Sequence, residues 1–181
     1  MFVRPIFNVS PQYLFNIKNR IKYFENSHRL IEDVYIEPVG AEIIVIGLGR
    51  VGKGAYLSLN SMVGGRVWGM DADPNRINEL KKIGYQAMVG DGEDVDLWED
   101  MDLTKIQLIL LALPSIEDIC NITEQLQHAH YTGKIASIAR YEDEIQLLID
   151  AGSDKVFNFF TEAGIGFAEE SLQLLPQYIK S

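Results

Sequence analysis

The chain has 181 residues, of which 47% are hydrophobic and 23% charged, a composition typical of a folded globular protein. Its formal net charge of -10 is opposite to the basic surface that nucleic acids and anionic membranes attract, so no nucleic-acid partner is expected. The single cysteine, Cys120, excludes an internal disulfide and favours a reducing compartment, and no apolar stretch reaches the roughly 20 residues of a membrane-spanning helix.

Residues 1–40 differ in charge from the rest of the chain. They hold five basic and four acidic residues, whereas residues 41–181 hold 11 basic and 22 acidic residues. Apolar residues recur at helical spacing over residues 10–32, and Pro38-Val39-Gly40 ends that pattern. We therefore expect residues 1–40 to form a helical leader, packed on the domain, on a partner or on a segment absent from this chain, and residues 41–181 to form a separate domain.

From Ala41 onward, apolar strands alternate with amphipathic helices. Strands are predicted at residues 42–46, 66–71, 86–89, 106–113, 134–139 and 155–158. Helices are predicted at residues 51–60, from Pro74 to Gly84, near 93–100, and at 115–131, 142–151 and 161–175. This alternation is typical of an α/β, Rossmann-type, doubly wound parallel sheet of six strands with the order 3-2-1-4-5-6.

A glycine-rich turn joins the first strand to the first helix of this domain. Gly47, Gly49 and Gly52 form the pattern G-x-G-x-x-G. In this context the first glycine allows a tight turn, the second lets the main chain approach a phosphate, and the third lets helix and strand pack closely. The N-terminus of the following helix then offers free N–H groups to an anion. The alternative is a tight strand–helix turn that holds no ligand.

Polar residues follow the other strands at the same predicted edge of the sheet. Asp71 lies nineteen residues after Gly52, where a carboxylate can bind both ribose hydroxyls of an adenosine and would repel the 2′-phosphate of NADP. Asp91 follows the third strand, where it can accept a hydrogen bond from an adenine amine or serve only as a turn residue. Residues 112–114 follow the fourth strand, near the expected second phosphate or nicotinamide.

Four stretches together resemble one family of regulatory domains. They read GLGRVG, GMDADPNRINELKKIGYQAMVGD, LILLALPS and IASIARYEDEIQLLIDAGSDKVF. As a set, they resemble the RCK domain, also called the KTN or TrkA N-terminal domain, over residues 42–171. The Asp-Pro after the second strand, the KKIGYQAMVGD segment and the Ala-Arg after the fifth strand are most similar to the cytosolic domain of Kef-type glutathione-regulated potassium efflux systems.

The resemblance implies a homodimeric regulatory domain that binds AMP or NAD(H) in its Rossmann cleft. For Kef-type systems it further implies that glutathione and its adducts bind near the dimer interface and switch a membrane cation:proton antiporter. The expected domain is then the cytoplasmic, soluble part of an inner-membrane transporter, in the same chain or as a partner subunit. The leader, residues 1–40, would connect the two.

The resemblance and the strand-end loops together define the candidate nucleotide-binding residues. They are Gly47, Leu48, Gly49, Arg50, Val51, Gly52, Asp71, Ala72, Asp73, Arg76, Gly90, Asp91, Gly92, Ala112, Leu113 and Pro114. Arg140, in the Ala-Arg pair, is the candidate for a basic group near the interface that meets glutathione carboxylates. The sequence departs from the family at Gly92, where alanine or serine is usual, and again after Lys155, so contacts from the last helix are not carried over.

Other function classes compete with a regulatory domain. A small NAD-dependent oxidoreductase needs an acid–base group, but His28 lies in the leader, while His128 and His130 lie at the end of a helix, so no catalytic residue is expected. A redox-sensing repressor needs a basic DNA-reading element, whereas residues 41–181 are strongly acidic. A docking module with a vestigial cleft is a third alternative. The acidic residues between 93 and 102 are expected to form a solvated short helix rather than a metal site.

Overall fold

A computed structural model of the protein describes residues 37–175. The predicted helix at residues 10–32 lies outside the described residues, as do nearly all of the leader and residues 176–181.

The described chain alternates strands and helices throughout. The strands are β1 (Ile43–Ile46), β2 (Val67–Asp71), β3 (Ala87–Val89), β4 (Leu108–Leu111), β5 (Lys134–Ala139) and β6 (Lys155–Asn158). The helices are α1 (Arg50–Val63), α2 (Pro74–Lys82), α3 (Val95–Asp100), α4 (Ile116–His128), α5 (Glu142–Asp150) and α6 (Phe159–Leu172), with a 3-10 turn at Leu103–Lys105.

The six strands form one parallel sheet in the order β3-β2-β1-β4-β5-β6. This order confirms the predicted Rossmann-type topology. Ile46 at the end of β1 pairs with Met70 of β2 and with Leu111 of β4, so these three strands end together. β2 and β3 lie on one side of β1, and β4 to β6 lie on its other side, so the topological switch point is between β1 and β4. Ligands of such sheets bind beyond the strand ends at this switch point.

Two apolar clusters cover the two faces of the sheet. On one face, Met70 and Ile109 pack with Ile119 and Leu126 of α4 and with Leu148 of α5. On the other face, Val45 and Val67 pack with Tyr56 of α1 and with Ile77 and Leu80 of α2. Burial of each such side chain stabilises the fold by about 1.5–3 kcal/mol. Helices cover both faces of the sheet around β1 and β2, whereas on the edge strand β6 Phe157 is 45% exposed.

Several element ends differ from the sequence prediction. β4 covers Leu108–Leu111 rather than residues 106–113, because the 3-10 turn at Leu103–Lys105 precedes it and a loop begins at Ala112. α1 continues to Val63, where Gly64 adopts a positive φ of 70° and ends it. α6 begins at Phe159 rather than residue 161, because the Asn158 side chain accepts a hydrogen bond from the Thr161 N–H at 3.1 Å. Asp73 is the N-cap of α2, and its side chain accepts hydrogen bonds from the Asn75 and Arg76 N–H groups.

Two glycines of α1 provide a matched test of how tightly this helix is packed. A Cβ on Gly52 would lie 1.9 Å from the Gly47 carbonyl oxygen, whereas a Cβ on Gly54 would meet nothing within 4 Å. We expect Gly52→Ala to lower the free energy of unfolding by about 2 kcal/mol or more through overpacking. Gly54→Ala should raise it by up to about 1 kcal/mol through helix propensity. Urea unfolding of both variants measures the difference, and equal effects would contradict the close helix–strand contact.

Candidate functional site

The glycine loop, residues 47–52, follows β1 and begins α1. Gly47 has a φ of +84°, and a Cβ there would lie 2.7 Å from Leu113 Cδ2 and 2.8 Å from the Ala112 carbonyl oxygen. The 1.9 Å approach of a Gly52 Cβ to the Gly47 carbonyl oxygen is closer still. The predicted tight turn at Gly47 and the close packing at Gly52 are therefore confirmed as backbone requirements.

The middle glycine of the loop has a different environment. A Cβ on Gly49 would meet nothing within 4 Å, and its φ of -70° is open to any residue. Gly49 is the N-cap of α1, and no side chain caps this helix. The first N–H groups of a helix have no partner within the helix and carry the positive end of its dipole. Open space beside Gly49 thus adjoins a helix end that is suited to an anion.

The other N-termini have side-chain partners. Asp73, Asp94, Ser115 and Asn158 accept hydrogen bonds at the N-termini of α2, α3, α4 and α6, respectively. At α5 the Glu144 carboxylate accepts a hydrogen bond from the Tyr141 N–H at 3.0 Å. Within residues 37–175, α1 and α5 both lack a side-chain hydrogen bond from their N-cap residue, and of these two helices α1 also has no acidic residue in its first turn.

Asp71 lies at the end of β2 with 7% of its surface exposed. Its Oδ2 accepts a hydrogen bond from the Leu48 N–H at 2.8 Å, and its Oδ1 accepts one from the Asp73 N–H at 3.0 Å. Arg76 Nη1 donates to both oxygens, at 2.8 Å each. The carboxylate thus ties the glycine loop to the turn between β2 and α2.

Leu48 contributes to this site through its backbone. Its side chain is fully buried, and a Cβ on Gly69 would lie only 2.6 Å from Leu48 Cδ1. Its N–H is donated to Asp71, so the backbone of Leu48 takes part in fixing the glycine loop. Its neighbour Arg50 is exposed, and Val51 is partly buried.

Arg76 extends from the first turn of α2 over Asp71, with 44% of its side chain exposed. The hydrogen bond to Asp71 is the main cause that raises the pKa of the Arg76 guanidinium, followed by the negative charges of Asp71 and Asp73, while burial acts in the opposite direction. Arg76 Nη2 also lies 3.9 Å from Asp73 Oδ2. The guanidinium is therefore charged and held between two carboxylates, whereas Ala72 between them is exposed.

The loop after β3 is joined to the end of β2 by a backbone hydrogen bond. The Gly90 N–H donates to the Asp71 carbonyl at 3.1 Å. Asp91 Oδ1 accepts a hydrogen bond from the Glu93 N–H at 3.0 Å, which is the turn role that the sequence left open for this residue. A Cβ on Gly92 would lie 2.8 Å from Ile122 Cδ1, so the alanine or serine usual in the family would require Ile122 to shift.

The loop after β4 lies on the other side of the switch point. The Ala112 N–H donates to the Ile46 carbonyl at 2.8 Å, and the loop passes close to Gly47 through Ala112 and Leu113. Arg140, which directly follows β5, donates a hydrogen bond from Nη2 to the Pro114 carbonyl. The Arg140 N–H donates to Glu144 Oε2 at 2.6 Å. Arg140 is therefore attached to the β4 loop, and all the candidate residues follow the carboxyl ends of strands.

Glu144 is a contributor that the sequence did not single out. Its carboxylate binds the N–H groups of both Arg140 and Tyr141 and so fixes the backbone that carries the Arg140 side chain. The usual sequence signature of such a capping box is Ser or Thr three residues before Glu. Here Tyr141 holds that position, so the signal was absent.

Other reactive side chains do not extend the site. The Cys120 thiol is partly buried against the apolar core, and burial raises its pKa. Asp94 and Asp102 each accept a hydrogen bond from an N–H two residues later, at 3.0 and 3.1 Å. Residues 37–175 contain no group of three His, Cys, Asp or Glu residues positioned to hold a metal ion. In the same range, no helix combines the length and the apolar character needed to cross a membrane.

Comparison with known proteins identifies the family of this fold and site. The sequence model of the TrkA-N domain matches residues 43–159, which is more than half of the chain.

Solved structures with the same fold come from several kinds of protein. The NAD(P)-binding domain of an exopolyphosphatase-related protein from Archaeoglobus fulgidus has a TM-score of 0.67 and 20% identity, over 74% of this chain and 98% of that one. The AMP-bound Kef C-terminal domain of Shewanella denitrificans has a TM-score of 0.60 and 21% identity, over 74% and 80%. The GsuK channel bound to NAD has a TM-score of 0.59 and 12% identity, over 81% and 27%.

The open space at Gly49 leads to a prediction that separates ligand approach from folding. Gly49→Ala adds a methyl group that meets no protein atom, so it should cost no more than about 1 kcal/mol of stability through weaker N-capping. If the main chain approaches a phosphate here, the same methyl group should weaken AMP binding about tenfold or more, as measured by calorimetric titration. Unchanged AMP affinity in a folded Gly49→Ala protein would show that no ligand approaches this residue.

Proposed function

The chain belongs to the TrkA-N domain family, and on that premise we propose that it is a nucleotide-binding regulatory domain of a potassium transport system. The observation that carries this proposal is the open, uncapped N-terminus of α1 beside Gly49, which adjoins the Asp71 carboxylate at the switch point of the sheet. A helix N-terminus binds phosphate, and a carboxylate at the end of the second strand binds a ribose. Together they fit an adenine nucleotide.

The proposed ligands are AMP or NAD(H). Both contain the adenosine and first phosphate that Asp71 and the glycine loop would hold. The structural relatives that carry AMP and NAD in their crystals support both choices. The buried Asp71 carboxylate disfavours NADP, because a 2′-phosphate would meet a negative charge there.

Regulation is proposed rather than catalysis. The residues around the proposed nucleotide cleft are glycines, apolar residues, carboxylates and three arginines, of which Arg76 and Arg140 are bound to neighbouring groups and Arg50 is exposed. His128 and His130, the described histidines, lie at the end of α4, away from the strand-end loops. A nicotinamide enzyme needs a proton donor or acceptor beside the reacting carbon. The names of the relatives, a transporter domain and a channel, support a ligand sensor.

The proposed partners are a second copy of this chain and a membrane transporter. α6 has no buried residue, although it carries Phe159, Phe160, Ile165 and Phe167. Large apolar patches are unusual on monomers and are typical of interfaces. We attribute this surface to homodimerisation.

We further propose that residues 1–40 connect domain 41–181 to a cation:proton antiporter of the inner membrane, and that Arg140 binds glutathione on the cytoplasmic side.

The first test is calorimetric titration of the full chain with AMP, NAD, NADH, NADPH and glutathione. AMP or NAD(H) should bind and NADPH should bind much more weakly. Asp71→Asn should weaken AMP binding about tenfold, since it removes charge from the ribose acceptor. Asp100→Asn removes the same charge from an exposed site on α3 and should leave the affinity unchanged.

Each other outcome of this titration assigns a different function. Strong discrimination between NADH and NAD would support the oxidoreductase or redox-sensing alternative, and absence of binding by every nucleotide would mean that the glycine loop is only a turn. Binding of glutathione that depends on Arg140 would support the hypothesis of a glutathione-regulated, Kef-type domain. If glutathione does not bind, the proposal is restricted to nucleotide sensing.

The dimer proposal is tested by changing α6. Phe167 is 76% exposed, so Phe167→Glu should leave the fold intact and convert a dimer to a monomer in sedimentation analysis. Removal of residues 161–181 should have the same effect. Met62→Glu places the same charge on an exposed apolar residue of α1, 74% exposed, and should leave the dimer intact. A dimer that persists in both α6 variants would exclude this helix as the interface.

A further inference from the structure

The acceptor sites of the Asp71 carboxylate are fully used within the protein. An ionised carboxylate accepts about four hydrogen bonds, two at each oxygen. The backbone N–H groups of Leu48 and Asp73 take one site on each oxygen, and Arg76 Nη1 takes the other two at 2.8 Å. Asp71 is also 7% exposed, so water does not supply further contacts of note. A ribose therefore finds no unused acceptor on this carboxylate.

The two kinds of donor on Asp71 differ in how easily they can leave. Leu48 is fully buried and its N–H belongs to the glycine loop, while the Asp73 N–H belongs to the turn that starts α2. Neither can be withdrawn without moving the backbone. Arg76 is a flexible side chain that is 44% exposed, so it can rotate away. The two acceptor sites that a ribose diol can gain are the two that Arg76 holds.

A second carboxylate lies where the displaced guanidinium would go. Asp73 Oδ2 is 3.9 Å from Arg76 Nη2, and Asp73 is half-exposed at 45%. Rotation of Arg76 away from Asp71 therefore keeps its charge beside an opposite charge. The guanidinium therefore keeps a carboxylate partner, while the ribose hydroxyls take over the hydrogen bonds that the buried Asp71 carboxylate would otherwise lose.

The geometry points to Arg76 as a latch that occupies the ribose site of the nucleotide-free protein and must move to Asp73 when an adenine ribonucleotide binds. This inference rests on the proposed nucleotide binding and deepens it. Arg76 then opposes binding of the 2′,3′-diol instead of assisting it, which differs from the nucleotide contact expected from its sequence position. Its second role is to neutralise Asp71 while the cleft is empty.

The test compares AMP with 2′-deoxy-AMP on the full chain and on Arg76→Met. AMP must displace Arg76 from both acceptor sites, whereas 2′-deoxy-AMP offers one hydroxyl fewer. The contribution of the phosphate cancels in the ratio of the two dissociation constants. Because the arginine is partly exposed and its ion pair is screened, we expect Arg76→Met to raise the preference for AMP by roughly two- to fivefold and to bind AMP more tightly than the parent.

Arg66→Met is the matched control. Arg66 Nη1 lies 3.1 Å from Glu42 Oε2, and Arg66 directly precedes β2. The substitution therefore removes the same charge at the opposite end of that strand. It should leave both affinities and their ratio unchanged. Arg76→Lys, which keeps the charge but lacks the planar fork, provides a second variant in case Arg76→Met folds poorly, and it should give a smaller change in the same direction.

Thermal unfolding gives an independent measurement. Arg76→Met should lower the melting temperature of the empty protein more than that of the AMP-saturated protein, because the latch acts only in the empty state. Weaker AMP binding by Arg76→Met with an unchanged AMP preference would overturn the latch and make Arg76 a nucleotide contact. Absence of AMP binding by the parent and by every variant would instead overturn the proposed function, and the latch with it.

Discussion

The contact between the Gly47 carbonyl and Gly52 determines where this domain can hold a ligand. The approach leaves no room for a Cβ on Gly52, and Gly47 itself is pressed against Ala112 and Leu113. The first turn of α1 is thereby fixed across the end of β1 and beside the loop after β4. The close approach of the backbone at Gly47 and Gly52 thus helps to position the N-terminal N–H groups of α1.

Asp71 makes a second connection between loops at this end of the sheet. Its carboxylate joins the Leu48 N–H of the glycine loop to the Asp73 N–H that begins α2. Both loops are therefore held in place by contacts within the protein. A preformed site loses less conformational entropy when it binds. The cost of this arrangement is that a buried carboxylate needs a cation, which Arg76 supplies.

The sequence predicted the strand order and the bounds of β5 and β6, because apolar runs there are bounded by turn residues. The predicted ends of β4 were wrong, because Ile106 and the residues after Leu111 are apolar residues that lie in the adjoining loops. Apolar character alone does not show where the hydrogen bonding between strands ends. The glycine spacing predicted the turn at Gly47 correctly. The Asp71–Arg76 pair could not be predicted, since residues five apart meet only through the turn that precedes Pro74. The contact of Arg140 with Pro114 requires β4 and β5 to be neighbours.

Under the proposed function, ligands of different length would reach different halves of the sheet. Asp71 and Asp73 belong to the β1–β2–β3 half, where an adenosine monophosphate would end. A dinucleotide has to cross toward Pro114, which Arg140 joins to the start of α5. There, Tyr141 lies 6.0 Å, centroid to centroid, from Phe160 of the exposed α6. A chain of packed groups thus runs from the far half of the cleft to the apolar surface, whereas the adenosine half has no such continuation through these contacts. A continuous series of contacts between a ligand and an interface favours coupling between them but does not by itself establish it. In this fold, the second half of a dinucleotide would lie at the start of such a series.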